Sequence, residues 1–117
     1  MNKADIVELL TESFKNGTSS PFVGVENWDD CVRIENEKLL SLAIEPIKVT
    51  AHTNEWVRKH GEFPGEKYEM YVIAGKEPDW LLFNPETECF SLAKGKISEK
   101  LILIGFASDD ALAEWRG

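Results

Sequence analysis

Four short runs rich in aromatic, β-branched and aliphatic residues follow one another in the second half of this chain: Tyr68–Ala74, Trp80–Phe83, Cys89–Ala93 and Lys100–Phe106. Each is bounded by Gly, Pro, Asn or charged residues, so they read as consecutive antiparallel strands. Asn84-Pro85-Glu86-Thr87 suits a type I turn, because Pro presets φ at the second position and Asn can bond its own backbone. The second and third runs therefore form a hairpin, and Gly75-Lys76-Glu77-Pro78 and Ala93-Lys94-Gly95-Lys96 punctuate the others.

The first half opens on a helix over residues 3 to 15, where Ile6, Val7, Leu9, Leu10 and Phe14 share a face and Asp5 and Glu8 suit the positive end of its dipole. Asn16-Gly17 ends it. The runs 22 to 25 and 31 to 34 read as two short strands, separated by a polar turn Glu26-Asn27-Trp28-Asp29-Asp30. Leu39 to Ile44 fits a helix or a buried strand, and Pro46 stops either one. Residues 47 to 51 alternate as a strand, and Thr53 or Asn54 then caps a short helix through Lys59 that Gly61 and Pro64 break. Ser108-Asp109-Asp110 marks the start of a closing helix.

No repeat, low-complexity tract or linker divides the 117 residues, so residues 1 to 117 read as a single α+β domain. The expected architecture is an antiparallel sheet of four to six strands centred on residues 68 to 106. An N-terminal helix, 3 to 15, and a short C-terminal helix, 109 to 116, pack on it. Leu9, Leu10, Phe14, Val72, Leu82, Phe90, Ile102, Ile104, Leu112 and Trp115 are the inward candidates.

A net charge of −8 disfavours general binding to nucleic acid or to anionic membrane surfaces. No apolar run approaches bilayer length, and the N-terminus turns amphipathic at once, which points to a cytoplasmic protein. In that compartment Cys31 and Cys89 are expected as free thiols without a disulfide.

The chemistry-bearing residues form no catalytic signature. His52, Glu55 and His60 lack the spacing that places two imidazoles one helical turn apart, so no metal is expected. The eight glycines are scattered, and no nucleotide-phosphate loop or nucleophile elbow occurs, so no cofactor and no catalytic residue is assigned. The pairs Asp29-Asp30 and Asp109-Asp110 read as a solvated turn and a helix start.

Two acidic segments are more informative. Glu26, Asp29, Asp30, Glu35 and Glu37 stand against Arg33 alone, with Trp28 interleaved. Glu77, Asp79, Glu86 and Glu88 surround Trp80 without a basic residue between them. An aromatic anchor ringed by carboxylates supplies desolvated contact area and steers a basic partner. The alternative is a solvated face over a core tryptophan. The partner-binding candidates are Glu26, Trp28, Asp29, Asp30, Glu35, Glu37, Glu77, Asp79 and Trp80.

The run from Tyr68 to Gly75, the run from Trp80 through Asn84-Pro85-Glu86-Thr87 to Phe90, and Phe106-Ala107-Ser108 opening a final helix together resemble the tail of the SUKH superfamily. Leu9 to Gly17 is similar to that superfamily's early helix ending in Asn-Gly. Asn84 stands where the family usually has Asp, and Glu88 where it usually has Gly. The resemblance implies a bacterial immunity protein that neutralises a nuclease-type toxin without catalysis of its own. A basic toxin domain would be its partner. Two other functions fit the residues: a small ligand-binding or enzymatic domain with a pocket on the sheet, and a self-associating domain.

Overall fold

The computed structural model describes residues 1–20, 24 and 26–116. Among the described residues, nine elements follow in chain order: α1 (Lys3–Lys15), α2 (Trp28–Ser41), β1 (Ala43–His52), α3 (Glu55–His60), β2 (Lys67–Lys76), β3 (Asp79–Asn84), β4 (Cys89–Gly95), β5 (Leu101–Leu103) and α4 (Ala111–Arg116). The fold is α+β, with a five-stranded sheet, an N-terminal helix and a short C-terminal helix.

The strands run as an antiparallel meander that closes into a barrel in the order β1-β2-β3-β4-β5. With an odd number of alternating strands, the first and last point the same way. The closing contact must then be parallel, and Ala51 and His52 pair in parallel with Leu101 and Ile102. Closure removes the exposed edges that an open sheet would present to other chains.

Alternation along each strand divides the core in two. Ala51, Met70, Val72, Leu82, Ala93, Leu101 and Leu103 form one buried cluster with Val57 and Phe63. Leu81, Phe83 and Phe90 point the other way, into a cluster with Ile6, Leu10, Leu39, Ala111 and Leu112 of the helices. The second cluster is the one that α1, α2 and α4 supply and lies on the outside of the barrel; the first is the barrel interior, with Val57 of α3 packed against it.

Local chemistry fixes the helix ends. Asn2 and Asp5 form a capping box at the start of α1. Ser13, buried on α1, donates to the Asp109 carbonyl at 3.0 Å and accepts from the Ala111 amide at 2.9 Å. The expected start at Ser108 moves to Ala111 because the Asp110 carboxylate is the acceptor for α4, taking the Ala113 amide at 3.0 Å. Asp110 also accepts from Thr18 and Ser19, at 2.9 and 2.6 Å, tying the chain after α1 to α4.

Several expectations are corrected. Residues 31 to 34 are helical, not a strand, and Trp28 to Asp30 form the first turn of α2 instead of a loop. The strand expected over 22 to 25 falls on residues of which 22, 23 and 25 lie outside the described set. Leu39 to Ser41 end α2 whereas Ala43 and Ile44 begin β1. Pro46 does not stop the strand: the β1–β2 register shifts between Ala43 and Ile47, and this irregularity absorbs the missing N–H. In β5 the fully buried side chains are Leu101 and Leu103, while Ile102 and the following Ile104 are half-buried, so the expected inward set is out by one residue. Leu9, Phe14 and Trp115 are half-buried at the margin of the outer cluster.

Candidate functional site

Asn27 positions the first acidic segment. Its side-chain oxygen accepts the Asp30 amide at 3.1 Å, which starts α2 and leaves Glu26, Trp28, Asp29 and Asp30 exposed. Trp28 is 43% exposed, a large apolar area to leave in water on a surface helix. Further along α2, Arg33 lies 3.8 Å from Asp30 and 3.4 Å from Glu37, and Lys38 lies 3.1 Å from Glu35. These pairs offset charge at Asp30, Glu35 and Glu37, and Glu26 and Asp29 at the N-terminal end of α2 are exposed.

The second segment is differently placed. The amide of Gly75 donates to the carbonyl of Leu42, the residue capping α2, at 3.0 Å, and Gly75 pairs across the hairpin with Trp80. Trp80 and Trp28 are therefore at opposite ends of α2, which is roughly 20 Å long at about 1.5 Å per residue. Trp80 is half-buried, packs against the barrel interior, and donates its indole N–H to the Gly95 carbonyl at 3.0 Å. Lys94 sits directly across from Asp79 with 3.3 Å between charged groups, and Lys96 lies 3.9 Å from Glu77. Strand pairing thus supplies the basic residues that the local sequence around Trp80 lacks.

A third feature escaped the sequence reading. Trp56 on α3 and Phe106 after β5 are 54% and 50% exposed. Gly105 and Gly61 meet backbone to backbone, with Glu62 donating its amide to the Gly105 carbonyl at 2.7 Å, and the Trp56 ring lies over Gly105. The Glu62 carboxylate takes the Ala107 amide at 2.7 Å. Nearby, the Glu114 carboxyl is pushed above its ordinary range by burial first, then by the charges of Glu62 and Asp110, against a lowering hydrogen bond from Ser108. The one sequence signal for this surface was a tryptophan among Glu55, Arg58 and Lys59 on a short helix.

A cleft of about 260 Å³ opens at one end of the barrel, lined by Phe63, Tyr68, Met70, Cys89, Ser91 and Glu62 together with Asn84, Thr87 and Ala107. His52 lies on β1, and His60 faces Trp56 with ring centres 5.3 Å apart; neither lines this cleft. Cys31, on α2, and Cys89 are free thiols in separate elements. Among the described residues, no group of three or more His, Cys, Asp or Glu side chains is arranged to hold a metal ion, and no helix is long and apolar enough to cross a membrane.

No protein-family model matches the chain, nor does any curated protein or solved structure.

Proposed function

We propose that this protein is a stoichiometric inhibitor, an immunity protein of the cytoplasm that captures a basic, nuclease-type toxin domain through the N-terminal turn of α2. The observation that carries the reading is the exposed indole of Trp28 beside the exposed carboxylates of Glu26, Asp29 and Asp30. An indole supplies the desolvated anchor of a hot spot, and the carboxylates accelerate encounter with a groove built to hold phosphates. The net charge of −8 adds a long-range contribution of the same sign and opposes competing attachment to nucleic acid. The role asks for no chemistry from the chain, only a rigid surface.

Trp80, with its indole N–H engaged and lysines opposite its acidic neighbours, contributes to this role by holding the hairpin rather than by meeting the partner. The test is a pulldown of the purified protein with the product of the adjacent gene, followed by growth rescue in cells expressing that product. Rescue by the intact protein and its loss on Trp28→Ala, with the circular dichroism spectrum unchanged, is the expected outcome. Absence of both binding and rescue would refute it.

A further inference from the structure

Ser91 lies on β4, two residues from both Cys89 and Ala93, and therefore on the strand face that Ala93 directs into the barrel. Its side chain is fully buried, its hydroxyl oxygen has no hydrogen-bond partner among the described residues, and it forms part of the wall of the cleft at the barrel mouth. An unpaired buried hydroxyl has given up its hydrogen bond to water without replacement, a cost that an alanine at the same place would not carry. Such a group beside a cleft is matched by a ligand that brings its own polar atom.

The other walls define that ligand. Phe63 and Tyr68 meet edge to face with ring centres 5.1 Å apart, and Met70 completes an apolar side. Glu62 adds a carboxylate to the lining, which repels anions. A volume of about 260 Å³ falls just short of the roughly 300–1,000 Å³ of pockets for drug-sized ligands, so the occupant is a single-ring molecule. We infer that the cleft at the barrel mouth binds a small neutral aromatic alcohol, its ring against Phe63, Tyr68 and Met70 and its hydroxyl on Ser91. This site is independent of the α2 surface.

Cys89 provides the readout, since its thiol lines the same cleft while Cys31, half-buried on α2, does not. The experiment follows alkylation of each cysteine by iodoacetamide in the native full-length protein, using phenol as the probe and benzoate as an anion of similar size. Phenol should slow the modification of Cys89 several-fold and leave Cys31 unchanged, and benzoate should slow neither. Ser91→Ala should raise the melting temperature, because it removes an orphaned hydroxyl, yet abolish the protection by phenol. The inference is overturned if phenol leaves the Cys89 rate unchanged, if benzoate protects equally, if Ser91→Ala keeps full protection, or if native Cys89 does not react at all.

Discussion

The indole N–H of Trp80 donates to the carbonyl oxygen of Gly95 at 3.0 Å, joining the start of β3 to the end of β4 across the hairpin that both strands form. The ring packs on the barrel interior, so its area and its hydrogen bond both act on stability. Trp80→Ala should destabilise the fold by about 2–4 kcal/mol, and Trp80→Phe by about 1 kcal/mol for the lost bond. Urea unfolding measures both, and equal effects would show that the bond, not the ring, dominates.

Glu88 occupies the left-handed region at φ 56, at the end of the turn that Asn84 opens by accepting the Glu86 amide at 2.9 Å. A side chain there costs about 1–2 kcal/mol, partly offset in the glycine variant by the greater freedom of its unfolded chain. Glu88→Gly should stabilise the protein by about 0.5–1 kcal/mol in thermal unfolding. Gly75, at φ 125, is the opposite case: a Cβ there would collide with the Asp79 carbonyl, and Gly75→Ala should cost more than 2 kcal/mol, on the order of a strained core substitution.

Leu103 is fully buried and Ile102 half-buried, so Leu103→Ala should cost about 2–5 kcal/mol and Ile102→Ala distinctly less. Alternation read from Ile102 and Ile104 predicts the reverse. The run Leu101-Ile102-Leu103-Ile104 is apolar at every position, so nothing in it marks which side faces inward; the register comes from pairing with Ala93, Lys94 and Gly95.

The same contrast runs through the molecule. The strands from Tyr68 to Ala93 were legible because each is short, apolar and closed by a turn residue, and the first helix because Ile6, Leu10 and Phe14 recur on one face. α2 was not legible. Its inward stripe from Val32 to Leu39 is interrupted by Glu35 and Asn36, and Cys31 to Ile34 mimics a strand. The cap at Asn27 starts the helix, and packing of Val32, Leu39 and Leu40 in the outer cluster overrides that propensity. Barrel closure rests on pairing between residues some 50 positions apart, Ala51 with Leu101, which no local pattern encodes. The acidic residues at Trp28 were visible as composition, whereas Lys94 and Lys96 beside Asp79 and Glu77 became apparent only with the strand register.

Glu114 has a carboxyl raised above its ordinary value of 4.5 by burial and by Glu62 and Asp110. The folded state then holds the proton more tightly than the unfolded state. The charged form destabilises the protein fully above the raised value, and that penalty disappears as pH falls below the unfolded value. Glu114→Gln should therefore raise the melting temperature at pH 7, with the gain shrinking to nothing on acidification below about pH 4. A gain that persists in acid would assign the effect to packing instead.

On the function proposed above, charge at the α2 N-terminus steers capture of a basic partner. The association rate of the Asp29→Lys, Asp30→Lys double variant with the purified product of the adjacent gene, measured by stopped flow across a series of salt concentrations, reads this steering. Both positions are exposed but lie in the first turn of α2, with Asp30 3.8 Å from Arg33, so the melting temperature should fall modestly while the fold is retained. The expected result is a rate lower by roughly tenfold at low salt with a flattened salt dependence. An unchanged rate with an unchanged salt dependence, or no association even by the intact protein, would rule out capture by this surface.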